Sequence, residues 1–387
     1  MKKVIPIELQ KMFDDKAIHT LSDTRLRNLD GPNTLQELGC AGIELDLTTV
    51  PCTRARVNTG TFCNYDCEFC YYKDQLDVKT PWEIVKKRID YLKQYGIKQV
   101  SLSGGESSVD PNWFQTLDYC NEHFEHVSCL SHGGRFANFD FLKESRDRGL
   151  KEILFSLHGA TAEVHDSITG RKGSFDRILK GIANAKELGI VVRTNTTIYY
   201  KNFHQLDTAH ADLINSIDPL DANFLTLNYW GDYNVIEFNN ASYADMTDAL
   251  KRCIDKLNKH ININVRYVPF CYMKGYEQYV LGVYQHIYDI RDWNRETFTY
   301  LLDVSKPYTE EEKIQNAYDA CKTHRHHFYK KSMDCLKCKH FYICDGIEKE
   351  IADTTPVIPE PGEKIKQLNF YRLQHEAEYP NPNTRSR

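Results

Sequence analysis

Between about residue 54 and residue 260 the chain switches repeatedly between two hydrophobic periods. Short apolar or β-branched runs stand at Arg56–Thr59, Gln99–Ser103, Val127–Leu130, Ile153–Leu157, Ile190–Ile198 and Asn223–Leu227, and each reads as a strand. Amphipathic stretches alternate with them, at Thr80–Gln94 and at 111–122, 138–149, 174–188, 203–216 and 242–259. In the first, Thr80 is placed to cap, Pro81 to take the first helical position and Glu83 to complete a capping box. Ile84, Val85, Ile89 and Leu92 then share one face, and Gly96 stops the helix. Gly149 and Gly189 stop two later ones.

Six strand–helix units in succession demand a parallel sheet with right-handed crossovers. The expected class is α/β, either an open doubly wound layer or a curl toward a barrel. In both, sites lie at the carboxyl ends of the strands. Two unusual loops fall on that rim. Cys63, Cys67 and Cys70 form the run Cys-x-x-x-Cys-x-x-Cys after the first strand, and Ser103-Gly104-Gly105-Glu106 follows the second. Three close thiolates can hold three irons of a 4Fe–4S cube and leave the fourth iron open. The spacing also admits zinc completed by a histidine, or inert buried thiols. The nearest histidines, His19 and His123, lie outside the loop.

The chain has 387 residues, enough for one large α/β domain and a small one. A net charge of −5 argues against a nucleic-acid partner. No apolar run reaches the length of a membrane span, and Glu8, Gln10 and Lys11 interrupt any signal-peptide core. The expectation is a soluble cytoplasmic protein with no membrane partner. Thirteen cysteines without an export signal favour metal or redox use over a disulfide framework. Cys40, Cys52, Cys120, Cys129 and Cys253 lack ligand spacing and read as buried structural thiols.

Beyond about 262 the repeat units stop and tyrosines become dense: Tyr267, Tyr272, Tyr276, Tyr279, Tyr284 and Tyr288. They read as core packing or as the lining of a substrate pocket. A second cysteine group follows, Cys335-x-x-Cys338 and then Cys344. The expected division is a lead-in over 1–53, a core over 54–262, a cysteine-rich region over 263–352 and a surface tail over 353–387.

With "TFCNYDCEFCYY", "SLSGGESS" and "LFSLHGATAEVHDSITGRKGSFDRILKGI" in one register, the chain resembles the radical S-adenosylmethionine superfamily over roughly 54–260. The third motif resembles the SPASM and Twitch groups, which carry further clusters in a C-terminal extension. One departure is Ser107, where proline often follows Gly-Gly-Glu. The resemblance implies a partial (β/α)6, TIM-like barrel with a small cysteine-rich C-terminal extension. It implies that Cys63, Cys67 and Cys70 hold a 4Fe–4S cluster whose open iron chelates S-adenosylmethionine. Reductive cleavage then yields a 5′-deoxyadenosyl radical that abstracts hydrogen from an unactivated carbon.

Around that cofactor, Phe69 is placed near adenine, with loop packing as the bland reading. Gly104 and Gly105 let the backbone approach the ligand. Glu106 meets the methionyl ammonium. Ser156 and Asn195 match positions that touch the ribose, or are strand polar groups satisfied by backbone. The resemblance also implies a second, auxiliary 4Fe–4S cluster on Cys271, Cys335, Cys338 and Cys344, with Cys321 an alternative to Cys271. A zinc knuckle drawing on His324, His326, His327 or His340 is the rival. His158 and His165 read as a base or as structural hydrogen-bonders. No catalytic residue is assigned.

The reaction class expected is dehydrogenation or bond formation, with an electron donor such as flavodoxin or ferredoxin. The substrate is a small molecule or, alternatively, a ribosomal peptide. Only 62 residues precede Cys63, without a clear strand–helix pattern for leader binding, which favours the small molecule. A zinc-stabilised binding protein on an α/β core is the reading of another class.

Overall fold

The alternating periods build one seven-stranded sheet. The strands are β1 (Arg54–Asn58), β2 (Gln99–Ser103), β3 (His126–Ser131), β4 (Leu150–Ser156), β5 (Val191–Ile198), β6 (Asp221–Thr226) and β7 (Asn262–Arg266). They lie in sequence order, and β1 to β6 pair in parallel throughout. A doubly wound sheet reverses its strand order at a switch point. No reversal occurs here, so the winding is that of a partial barrel. The computed structural model describes residues 43–45, 54–93, 97–227, 241–287 and 309–372. Gln94, Gly96, Cys40, Cys52, Tyr288 and nearly all of the expected lead-in lie outside them.

The chain divides into two compact units. The first comprises Thr53–Leu227 and Asp248–Asn264; the second comprises Met1–Cys52, Asn228–Thr247 and Val265–Arg387. The helices are α1 (Trp82–Lys93), α2 (Trp113–His123), α3 (Phe139–Asp147), α4 (Ala162–Thr169), α5 (Ser174–Glu187), α6 (Ala211–Ile217), α7 (Tyr243–Lys256) and α8 (Glu310–Phe328). Among the described residues, no helix is long and apolar enough to cross a membrane.

Several elements differ from the sequence reading. The count of six strands is one short, because β7 alternates Asn262, Asn264 and Arg266 with Ile263 and Val265 yet buries all five. Its polar half conceals an apolar run. Helix α1 starts at Trp82, with the Pro81 carbonyl accepting from the amides of Ile84 and Val85. Val85, Ile89 and Leu92 are buried as expected. Helix α4 was not foreseen; Thr161 caps its start and Gly170, at φ 63°, ends it. The helix expected over 203–216 breaks at Thr208, and only α6 is regular α-helix.

The floor of the sheet is polar. Near the amino end of each strand stands one of Arg54, Gln99, His126, Glu152, Arg193, Asp221 and Asn262. All but Gln99 are buried. Arg54 donates to Gln99 at 3.0 Å and to Glu152 at 2.7 Å. Arg193 donates to Glu152 at 2.9 Å and pairs with Asp221 at 2.5 Å. His126 lies 3.2 Å from Glu152, and Asn262 donates to Asp221 at 2.9 Å. Two guanidiniums therefore balance two carboxylates. Hydrophobic side chains of the same strands, among them Val57, Leu102, Cys129, Ile153 and Phe155, are at most 1% exposed. Cys120, Cys129 and Cys253 are buried in this unit as packing thiols.

In the second unit, α8 opens with a capping box between Thr309 and Glu312, and β8 (Tyr329–Lys330) pairs antiparallel with β9 (Ile347–Glu348). The expected surface tail is corrected over its described part. Cys338 bridges Pro361, Lys339 N donates to Glu360 O at 2.7 Å, and Leu368 and Asn369 are 1% and 3% exposed. The prolines there hide a backbone that docks on the cysteine segment. Tyr272 and Tyr284 pack in this core, and Tyr272 donates to Pro356 O at 2.6 Å.

Burial alone would raise the Glu152 carboxyl, but Arg54 and Arg193 hold it well below the usual range. Its contribution is therefore present above the unfolded carboxylate pKa of about 4.3 and is lost only in strong acid. Glu152→Gln leaves two buried guanidiniums short of charge. It should cost about 3–5 kcal/mol at neutral pH, read as a lower urea midpoint, and the gap from the parent should narrow as pH falls below that range.

Candidate functional site

The cysteine loop grows out of the β1–β2 ladder. Thr59 N donates to Ser103 O, Gly105 N to Gly60 O and Glu106 N to Phe62 O, each at 2.8 Å. Gly104 has φ 133°, and a Cβ there would collide with Gly60 O; a Cβ on Gly105 would collide with Phe62 O and Thr61 O. Both glycines are thus required by the close approach of the neighbouring loop's backbone. Ser107, 2% exposed, shares a 2.8 Å hydrogen bond with the Thr59 hydroxyl. Serine in place of proline therefore ties the same two loops once more.

Other segments hold the loop from its outer side. Asp66 N and Glu68 N donate to Thr169 O and Ile168 O at 3.2 and 2.9 Å, at the end of α4. Asp166 in turn accepts from Gly173 N, Ser174 Oγ and Phe175 N, which seats α5 on α4. The motif around "HDSITGRKGSF" is thus a rest for the cysteines. Glu68 accepts from the hydroxyls of Tyr199 and Tyr200 at 2.8 and 3.3 Å and pairs with Lys201 at 2.9 Å. Tyr65 stacks on His132 at 3.6 Å. His132 Nδ1 accepts from Gly134 N, so its Nε2 donates to Asn64 Oδ1 at 2.8 Å.

Glu106 is 2% exposed. It accepts from Ser131 Oγ and His132 N, both at 2.8 Å, and from Ser108 N at 3.3 Å and the Ser108 hydroxyl. Phe69 meets the edges of His158 and Tyr199 at 4.9 and 5.7 Å. Ser156 and Asn195 face each other in register, and Asn195 faces Asn223, which accepts from Asn264 Nδ2 at 2.9 Å. The row therefore holds two residues, Asn223 and Asn264, that sequence reasoning missed. Their signal was an asparagine at the inward alternate of two strands. His158 N donates to His165 Nδ1, and Thr197 N to His158 Nδ1, both at 3.2 Å. Burial pushes both rings down, His165 to about 4, so they are neutral structural groups.

The three loop thiols are partly buried and in no disulfide. Burial, then the nearby Glu106 carboxylate, pushes Cys63 up to about 12. Burial raises Cys67 and Cys70 too, and neighbouring thiolates oppose one another at Cys63 and Cys67. Only a cation reverses that balance. Among the described residues, the group of three or more His, Cys, Asp or Glu whose ligand atoms all lie within 4.8 Å is Glu277, His340 and Glu360. The cysteine sets are wider. Tetrahedral zinc, at about 2.3 Å per bond, would draw sulfurs to about 3.8 Å. The wider spacing suits sulfurs bound to separate irons of a cluster.

In the second unit, Cys271, Cys335, Cys338 and Cys344 line one cavity together with Lys331 and His340. Burial first, then the other three sulfurs, pushes Cys271 up to about 12. Cys321 lies apart, fully buried, and its Sγ donates to Val283 O at 3.3 Å. Cys271 is therefore the cysteine that joins the group. Of the four histidines considered for zinc, His340 lines the cavity, whereas His324 packs on Phe328 at 4.5 Å.

Residues 57–212 match the family model described as the Radical SAM superfamily. The antilisterial bacteriocin subtilosin biosynthesis protein AlbA of Bacillus subtilis (strain 168) is 31% identical over 175 residues, 44% of this chain and 38% of its own. The AdoMet-dependent heme synthase of Methanosarcina barkeri (strain Fusaro / DSM 804) is 27% identical over 147 residues, 37% of this chain and 42% of its own. The chain thus spans less than half the length of these curated relatives. The solved structure of native anSMEcpe with bound AdoMet and Kp18Cys peptide shares the fold. It covers 86% of this chain and 98% of that one, with a TM-score of 0.51 at 13% identity.

The thiolate is the reactive form, so a raised pKa delays reaction to higher pH. In the metal-free chain, alkylation of Cys63 followed by mass spectrometry should keep rising about tenfold per pH unit through pH 10. An ordinary thiol levels off past about 8.5.

Proposed function

We propose that this chain is a radical S-adenosylmethionine enzyme of the SPASM/Twitch branch, and that it cleaves S-adenosylmethionine reductively and takes hydrogen from a substrate carbon. The observation that carries the reading is the braced rim loop that presents three partly buried thiols in no disulfide, the first of them near Glu106. Cys63, Cys67 and Cys70 are the ligands of the cofactor-binding 4Fe–4S cluster. Glu106 keeps acceptor capacity on Oε2 for the methionyl ammonium, since an ionised carboxylate offers about four acceptor sites and three of its four hydrogen bonds fall on Oε1. Phe69 sits against adenine, and Ser156 and Asn195 orient the ribose.

Cys271, Cys335, Cys338 and Cys344 are the ligands of an auxiliary 4Fe–4S cluster. When bound, the two clusters and the sulfonium cofactor supply a 5′-deoxyadenosyl radical and a one-electron acceptor. The chain's own part is to hold the ligands, orient the cofactor and keep water from the rim. Residues 54–262 form the radical core and 263–352 the auxiliary region. Dehydrogenation or bond formation on a small molecule is the leading reaction. A flavodoxin or ferredoxin is the expected electron donor, the cytoplasm the expected compartment, and nucleic acid is not a partner. A peptide substrate is the second reading, favoured by the 31% identity to a bacteriocin biosynthesis protein.

Reduced, air-free enzyme mixed with the cofactor should release 5′-deoxyadenosine, and release should rise with the correct extract or peptide pool. The triple variant C63A/C67A/C70A should abolish release and drop iron from about eight to about four per chain. Cys271→Ala should also lose about half the iron, whereas Cys321→Ala should keep nearly all of it. Zinc without iron in the parent would overturn the reading.

A further inference from the structure

We propose that Glu277, His340 and Glu360 form a divalent-cation site of their own, outside both cysteine sets. One ligand atom from each lies within 4.8 Å of the other two. Sub-ångström shifts of the side chains bring all three within about 2.0–2.2 Å of a single ion. The residues come from three segments, so local sequence does not explain their meeting. Glu277 is 7% exposed and His340 fully buried, while the Glu360 side chain is 19% exposed.

The carboxylates are short of partners. Among the described residues, the Glu277 carboxylate takes part in no hydrogen bond and no ion pair. Glu360 divides its oxygens. Oε1 accepts from Lys339 Nζ at 2.5 Å, and Oε2 is buried with no partner. Lys339 pairs with Glu360, and Lys274 acts on it too, but among the described residues neither lysine forms an ion pair with Glu277. Buried polar atoms are normally satisfied, and a buried unpaired carboxylate is costly. A cation at the meeting point of these oxygens supplies the missing charge.

His340 Nε2 lies 2.7 Å from the Tyr371 hydroxyl, and the ring stacks near Phe270 at 5.1 Å. These contacts fix the ring's orientation. One imidazole with two carboxylates is a donor set for Zn²⁺ or Mn²⁺ rather than for soft-ligand ions. The site borders the cysteine cavity, since His340 Nδ1 is 3.8 Å from Cys338 Sγ. Cluster iron must therefore be counted in every sample.

The test uses cluster-loaded, air-free enzyme freed of loose metal by chelator. Mn²⁺ is titrated in and free Mn²⁺ is read by its electron paramagnetic resonance signal. The parent should take up one Mn²⁺ per chain, displaceable by Zn²⁺. Glu277→Gln should weaken uptake at least tenfold with iron unchanged. Lys339→Met should strengthen it several-fold, because it removes the competing ammonium. Should Glu277→Gln lose iron, Glu360→Gln, at a less buried position, replaces it with the same expectation. No saturable uptake by the parent or by Lys339→Met, or parent-like affinity in the glutamine variant, would overturn the proposal. Iron content and 5′-deoxyadenosine release report on the radical reading separately, so the two can fail independently.

Discussion

Two backbone hydrogen bonds, from Gly105 to Gly60 and from Glu106 to Phe62, carry the arrangement of the rim. They extend the pairing of two neighbouring strands into the loops that follow them. Side chains at 104 or 105 would force those loops apart. Once the loops are joined, Cys63 follows directly after the anchored Phe62, and Glu106 is drawn inward among donors from Ser108, Ser131 and His132. The acidic residue and the first thiol are therefore neighbours by construction. That proximity raises the thiol and makes a positive centre the natural occupant between them.

The two cysteine sets come together by different routes. The first lies on one short loop, and its spacing is visible in any reading of the chain. The second gathers Cys271 with three cysteines roughly sixty residues further on, so its geometry exists only once the second unit has folded. In that second set, metal ligation would cross-link distant segments and add to folding free energy directly. The first set needs no such closure, because its loop is already braced by α4, by β2 and by the segment after β5.

This contrast explains what could be read beforehand. The sheet was legible because apolar runs alternate with amphipathic ones, and the cysteine loop because its spacing is local. Strand β7 was not, since asparagines and an arginine fill its alternate positions and find partners inside the sheet. Helix α4 was hidden in a motif too short to show a helical period. Gly104 and Gly105 make room for backbone atoms of the neighbouring loop, a contact that no local spacing reveals. The choice between Cys271 and Cys321 was beyond any spacing argument, because burial and partner, not position in the chain, separate them. Glu277, His340 and Glu360 carry no local pattern at all, and only packing brings them together.

The charged floor of the sheet has a bearing on the opposite rim. Arg54 opens β1 and Asn58 closes it, so the five residues of β1 span the distance from the ion pairs to the start of the cysteine loop. Strands rise about 3.3 Å per residue. A two-residue slip would keep every side chain on its face, and apolar packing alone would resist it weakly. It would also lower the loop by about 6.6 Å and strand Arg54 away from Glu152. The guanidinium–carboxylate layer thus acts as a depth gauge: it sets how far above the barrel's base the sulfurs stand, without touching any of them.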